Sequence, residues 1–352
     1  MKTIAILTLF GYYNYGNKYQ NYAVQECLKK YGFEPRTLVV YPDRRQLIRP
    51  ALFKLKALMG DVEKKRYRKI YRFSKKYIPV RALYIKDLQI PKALAGEYDF
   101  FVTGSDQVWN PSIRPRERNN FFLSFAEREQ RICVSPSFGV SELPDELTEL
   151  YRQGLDGFDN LCSREEAGVK IIETLTGRKA ERLIDPTLAL TKDEWKKIFA
   201  EVPNDNGSYI LLALLGRMSQ DEENYIKNLA QKNSLKIINV FAPDSVYGPD
   251  EVLSLIDNAS LVFTDSFHFT AFSVNFGVPF IVTERKDDSV NSKMFSRISS
   301  LLGMLSLEER QYGKTKPGEE LSCNFDRAHS VLGEERKKYF DFLDRSLNKH
   351  EG

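Results

Sequence analysis

The sequence predicts an α/β protein built of two doubly wound units. Apolar runs of strand length alternate with longer amphipathic segments, the pattern of a parallel sheet flanked by helices. The turn-forming stretch EVPNDNGS, Glu201 to Ser208, interrupts that alternation just before a fresh apolar run, YILLALL. A chain of 352 residues, 42% of them hydrophobic, can fill more than one core.

In order, the first half predicts strands at Thr3 to Phe10, Arg36 to Val40, Asp99 to Thr103, Arg131 to Ser135, Asn160 to Ser163 and Arg182 to Ile184. Its helices are expected at Lys18 to Tyr31, Glu142 to Gln153 and Glu165 to Thr176. The second half predicts strands at Tyr209 to Leu215, Lys236 to Val240, Leu261 to Thr264 and Pro279 to Val282. The domains are therefore set at 1–200 and 207–330, with residues 331–352 as a C-terminal helix returning to the first domain. Lys2 and the apolar IAILTLF start like a signal peptide, but the run is short and lacks a small-residue cleavage site, so it is read as the first strand. No run nears the roughly 18 apolar residues of a membrane span.

Composition excludes several classes. The 52 Lys and Arg against 48 Asp and Glu leave +4, too little for a dedicated nucleic-acid binder. Cys27, Cys133, Cys162 and Cys323 form no C-x-x-C pair, which argues against a zinc site or disulfide framework and fits a reducing cytoplasm. The chain has no D-x-D triplet, no P-loop and no G-x-S-x-G, so metal-dependent and serine-nucleophile mechanisms lose support. Residues 44–86 hold 15 Lys or Arg against Asp61 and Glu63, an excess of +13. Leu55, Met59, Tyr67, Ile70, Phe73 and Tyr77 recur there at helical spacing, giving a basic amphipathic surface. Such a surface suits an anionic membrane or a diphosphate-linked lipid, or is simply a solvated face.

Four turns carry candidate chemistry. After strand LVFT come Asp265 and Ser266, then a helix opening near His268; free N–H groups there favour anions, and Thr264, Ser266 and Thr270 add hydroxyls. The first strand leads into GYYNYGNKYQNYAVQ, where Gly11 and Gly16 bracket a loop and Asn14, Asn17 and Gln20 offer neutral hydrogen bonds suited to sugar hydroxyls. EYDFFVTGSDQVWNP places Ser105, Asp106, Gln107 and Trp109 after a third strand. Asp106 could orient an acceptor hydroxyl or an active-site base, or cap a turn, and Trp109 could stack on a sugar, or fill the core. In SREEAG, Ser163 and Glu166 have capping-box spacing, while Arg164 opposes the helix dipole unless an anion lies nearby. An exposed ion pair to Glu165 or Glu166 is the plain alternative. LIDPTLALTKDEW looks structural, with an Asp185-Pro186 turn and Thr191 capping the helix of Trp195.

In this order, NYGNKYQNYAVQ, YDFFVTGSDQVWNP, SPSFG, SREEAG, IDPTLAL and TDSFHFTAFSVNFGVPF resemble the polysaccharide pyruvyl transferases over about Met1 to Leu302. The resemblance implies a GT-B-like fold, two Rossmann-type domains facing a cleft, and transfer of a pyruvyl group from phosphoenolpyruvate to sugar hydroxyls as a ketal. The matching positions are Asn14, Gly16, Gln20, Ser105, Asp106, Arg164, Ser266 and His268, with Ser296 and Arg297 in MFSRISSLL. The chain departs from the family at Phe269, usually glycine, and at Phe295, usually asparagine.

With that resemblance, the donor set is expected to be Arg164, Thr264, Ser266, Ser296 and Arg297, with His268 as acid and Asp106 as base. The acceptor set is Asn14, Gly16, Asn17, Gln20, Ser105, Gln107 and Trp109. Phosphoenolpyruvate enters as co-substrate, with no cofactor or metal. The acceptor is a sugar or lipid-linked glycan, nucleic acid is not a partner, and no oligomeric state is implied. The expected place of work is the cytoplasm, including the inner membrane face. A nucleotide-sugar glycosyltransferase of the same architecture and a non-catalytic glycan-assembly protein are the alternatives.

Overall fold

A computed structural model describes residues 2–11, 13–47, 49–202, 208–286 and 292–347. Its elements begin β1 (Thr3–Leu7), α1 (Tyr15–Lys29), β2 (Glu34–Tyr41), α2 (Arg49–Leu58), α3 (Val62–Tyr77), β3 (Val80–Tyr84), β4 (Phe100–Asp106), α4 (Arg118–Phe121) and β5 (Arg131–Pro136). They continue with α5 (Thr148–Asp156), β6 (Cys162–Ser163), α6 (Glu166–Thr176), β7 (Glu181–Arg182), α7 (Pro186–Ala189) and α8 (Lys192–Lys196). Then come β8 (Tyr209–Ala213), α9 (Gln220–Lys232), β9 (Lys236–Asn239), α10 (Pro249–Asp257), β10 (Leu261–Thr264), α11 (Phe267–Phe276), β11 (Phe280–Val282), α12 (Ser292–Leu305) and α13 (Asp326–Leu347).

The chain divides into two compact units. One comprises Met1–Met59, Ile70–Leu190 and Glu335–Gly352, the other Gly60–Lys69 and Thr191–Glu334. The chain thus passes from the first unit to the second at Leu190–Thr191, ahead of EVPNDNGS, of which residues 203–207 lie outside the described residues.

In the first unit, five parallel strands run in the order β3-β2-β1-β4-β5. β4 is buried along its whole length and β1 from Ile4 onward because helices cover both faces, so they read as largely apolar runs. Gly104 in β4 has φ +108, and a Cβ there would lie 2.3 Å from the Val134 carbonyl oxygen, so only glycine lets β4 and β5 pair at that point. The end of α13 belongs to this unit. Tyr31 there donates to the Phe340 carbonyl, Asn160 to Ser346, and Arg182 pairs with Glu335 at 2.7 Å.

In the second unit, four parallel strands run β9-β8-β10-β11. Ile210, Leu212, Leu261, Phe263 and Ile281 from the sheet pack with Ile226 and Leu229 of α9. From Phe269 to Phe276 every residue of α11 is buried, so beyond its first turn it is a core helix rather than an amphipathic surface one.

Three sequence expectations change. Val80–Tyr84, inside the basic segment read as helical, is a strand paired with β2 at the sheet edge, where half of each residue's surroundings is solvent and the apolar signal is weak. Ser163 does not cap α6; it ends β6 and donates to the Pro136 carbonyl at 3.1 Å, while Glu165 holds the N-cap position. Strand pairing with β7 holds Ser163 away from the cap. Asp185 caps α7 instead, accepting from the Thr187 N–H at 3.0 Å, and Thr191 caps α8 in a capping box with Glu194 as expected.

Candidate functional site

In the first sheet, the chain builds β1, β2 and β3 outward in one direction and then returns to place β4 on the other side of β1. That reversal makes the carboxyl ends of β1 and β4 the topological switch point, where neighbouring loops diverge and open a crevice. The loop after β1 leads into α1, and β4 ends on Asp106. Asn14 is the N-cap of α1, its side chain accepting from the Asn17 N–H at 3.1 Å. Asn17, in the first turn, accepts from the Gly11 N–H and donates its amide to the Asp106 carboxylate. Asp106 has φ +73, a left-handed backbone unusual outside glycine, and also accepts from the Gln107 N–H at 2.8 Å. Two donors therefore fix a nearly buried carboxylate at the switch point.

Arg164 lies in this cluster. It is buried and pairs with the buried Asp185. Burial works against its charge, yet the Asp185, Asp106 and Glu165 carboxylates outweigh burial and hold its pKa above the ordinary arginine value. The anion that offsets the helix dipole is therefore supplied by the protein, from the N-cap of α7. Arg164 is buried rather than exposed; Glu165 accepts from the Phe138 and Gly139 N–H groups, and Glu166 pairs with Arg182.

The second sheet repeats the geometry. Its switch point lies between β8 and β10, where β10 ends and α11 begins. The Asp265 carboxylate accepts from the Leu215 and Gly216 N–H groups at 2.8 and 2.7 Å and meets Arg285 at 3.3 Å, tying the two loops together. Ser266 is the N-cap of α11 and makes no side-chain capping bond. His268 sits in the first turn, half-buried, its ring edge-on to Phe267 with centroids 5.5 Å apart. The Arg297 guanidinium from α12 lies 6.0 Å from the same Phe267 ring. An imidazole, a guanidinium and a helix N-terminus thus gather at one end of one sheet, a setting that attracts anions and can exchange a proton. A cavity of about 890 Å³ in this unit, lined by Tyr209, Ile237 and Tyr247 among others, lies toward the start of β8, the opposite end of the sheet.

Several expected contacts turn out to be structural. Trp109 is buried among Phe122, Phe138 and Phe158 and donates its indole N–H to the Phe121 carbonyl, so it fills the core instead of meeting a sugar. Gln20 is enclosed, donating to Thr8 Oγ1 and the Asn17 carbonyl. Ser105 donates to the Ser135 carbonyl, and Gly16 is buried in the first turn of α1. Thr264 donates to the Ala213 carbonyl and accepts from the Ser266 N–H, leaving its hydroxyl engaged on both sides. These groups brace the two turns from beneath. Gln107 is half-buried and accepts from the Asn110 amide. Phe269 points into the core against Phe241, so its bulk does not narrow the site. The side chain of Ser296 lies outside the described residues.

Sequence reasoning missed Lys18. In the first turn of α1, it is almost fully buried, its ammonium 3.1 Å from the centroid of the Phe10 ring at the end of the β1 run. Among the described residues it has no carboxylate partner, and burial pushes its pKa well below the ordinary lysine value. The signal lies in the sequence: a cation in the first turn of a helix opposes the dipole, at Lys18 as near Arg164.

Among the described residues, no group of three or more His, Cys, Asp or Glu could hold a metal ion, and no helix is long and apolar enough to cross a membrane. The model of a family described as polysaccharide pyruvyl transferase matches residues 14–287. A search of curated proteins gives no match. Solved structures with a similar chain path include a Listeria monocytogenes protein assigned as a UDP-N-acetylglucosamine 2-epimerase, 13% identical, with a TM-score of 0.49 and 98% of each chain covered. The UDP-GlcNAc 2-epimerase of Neisseria meningitidis, bound to UDP-GlcNAc, is 11% identical, with a TM-score of 0.43 over 98% of this chain and 100% of that one. An E. coli heptosyltransferase is 11% identical, with a TM-score of 0.35 over 95% and 99%. At these scores the likeness carries no argument about chemistry.

Proposed function

The chain belongs to the polysaccharide pyruvyl transferase family, and we propose that it moves a pyruvyl group from phosphoenolpyruvate onto two hydroxyls of a glycan sugar, forming a ketal. The observation that carries this reading is the gathering of His268, Arg297 and the α11 N-terminus at the second switch point. Phosphoenolpyruvate carries a phosphate and a carboxylate, and a helix N-terminus beside a guanidinium suits both.

The reaction takes two protons from the sugar diol. One ends on the methylene carbon, which becomes methyl, and the other on the departing phosphate. Protonation of the methylene makes the adjacent carbon oxocarbenium-like; one hydroxyl adds, phosphate leaves, and the second hydroxyl closes the ketal. His268 is assigned the acid role, toward the methylene or the leaving phosphate. Asp106 is assigned the base role, because Asn17 and the Gln107 N–H hold its carboxylate in a fixed direction at the first switch point. Arg164 is assigned to positioning Asp106, since Asp185 already engages its guanidinium. Asn14 and Gln107 are the remaining neutral contacts for sugar hydroxyls.

Calorimetry on the purified protein tests the donor directly. Phosphoenolpyruvate is expected to bind and to raise the melting temperature, since selective binding to the folded state stabilises it. Arg297→Lys is expected to weaken that binding, because a point charge replaces a planar fork. Binding of a nucleotide sugar in place of phosphoenolpyruvate overturns the assignment.

A further inference from the structure

The basic segment divides in the structure in a way its sequence did not foretell. Tyr67, Ile70 and Phe73 of α3 are buried, and Tyr77 packs on Tyr22, so the apolar face of α3 is consumed by the fold. Arg66 is spent on the Ala242 and Ser245 carbonyls and Lys69 on Glu251. α2 behaves differently. Eight large hydrophobic side chains of the described residues are exposed, and four of them, Leu52, Leu55, Leu58 and Met59, fall within α2 and the residue after it. The Met59 N–H still donates to the Leu55 carbonyl at 3.1 Å, so Met59 keeps the helical register.

At about 100° per residue, these four side chains span an arc of about 120°. Lys56 follows one edge of the arc by about 40° and Lys54 the other edge by about 40°. Both lysines are exposed, and neither makes an ion pair among the described residues. Phe53 and Ala57 occupy the other side of the helix, Ala57 buried and Phe53 stacked on Tyr13 at 6.5 Å. α2 therefore has two apolar faces. One is seated in its own unit, and the other is open and bracketed by cations.

A water-facing stripe of Leu, Leu, Leu and Met has no reason to persist on a free surface unless something covers it. Lysines on both edges suit a layered partner, apolar within and negatively charged at its rim, because their ammonium groups can rise to a headgroup plane while their stems lie on the acyl boundary. We propose that the open face of α2 is an in-plane anchor that seats this protein on an anionic lipid bilayer through Leu52, Leu55, Leu58 and Met59, with Lys54 and Lys56 at the headgroups. The inference is independent of the reaction assigned above.

Vesicle flotation tests it, using phosphatidylcholine vesicles with and without about one third phosphatidylglycerol. The wild type is expected to float with the anionic vesicles and far less with the neutral ones. A Leu52→Gln, Leu55→Gln, Leu58→Gln, Met59→Gln variant is expected to lose at least tenfold in partitioning while keeping its melting temperature, since all four side chains are already exposed. Lys54→Gln with Lys56→Gln should lose about fivefold per lysine at low salt, and the difference should shrink as salt rises. Equal flotation of wild type and the glutamine variant overturns the anchor, as does a wild type that floats with neither vesicle. Sedimentation showing a wild-type dimer that the glutamine variant loses, without vesicle binding, also overturns it in favour of a contact between copies.

Discussion

The Asn17 side-chain amide donates to the Asp106 carboxylate across the switch point of the first sheet, joining the first turn of α1 to the end of β4. The two residues are 89 positions apart in the chain, and they meet because β4 returns to the flank of β1. Asn17 also accepts from the Gly11 N–H, so one side chain fixes both the loop after β1 and the carboxylate opposite.

Asp106→Asn should therefore keep the fold and lose about 10²- to 10⁴-fold in turnover, the range of a lost general base. Asn17→Ala should cost less, because the Gln107 N–H still holds Asp106. Steady-state kinetics with matched circular dichroism checks both. Near-normal turnover of a folded Asp106→Asn variant removes Asp106 from the chemistry.

His268→Gln should bind phosphoenolpyruvate with nearly unchanged affinity and lose turnover, since glutamine can donate a hydrogen bond but cannot deliver a proton near neutral pH. Comparing calorimetric affinity with phosphate release separates the two effects. Equal losses in both would make His268 a binding group alone.

Lys18 gives a pH-dependent signature. Burial lowers its pKa in the folded state, so the unfolded chain binds a proton that the folded chain gives up. Stability then rises with pH between the lowered folded pKa and the ordinary lysine value, and the penalty is full below that window. Lys18→Met should melt higher than wild type at low pH, with the gap closing as the ordinary lysine value is approached. Thermal melts of both proteins across that range measure it, and a constant gap contradicts a buried titrating amine.

Arg164→Met removes the cation paired with the buried Asp185 carboxylate and should destabilise the first unit by about 3–5 kcal/mol. Replacing both partners, Arg164→Met with Asp185→Leu, should recover part of that loss, because neither charge is then left buried without its counter-ion. Denaturant unfolding of the two single variants and the double variant reads the coupling. Activity is expected to stay low in the two variants that lack Arg164, since Asp106 there loses its neighbouring cation.

The sequence by itself determined the α/β class and the turns that carry polar side chains, because both are local. A strand's apolar run, the turn after it and the helix that follows are contiguous, which is how Asn14, Asn17, Asp106 and His268 could be named from their positions. The tertiary structure alone decided which of those turns are neighbours. Strand order is a non-local property, and it sets the switch points that join Asn17 to Asp106 and bring Asp265 to the loop after β8. It also decided burial. Periodicity marks the apolar face of a helix but not whether another element covers it, so Leu55 and Phe73, alike in sequence pattern, end exposed and enclosed. Likewise, a charge opposing a helix dipole shows that Arg164 requires an anion, but only packing shows that the anion is Asp185 of the same chain.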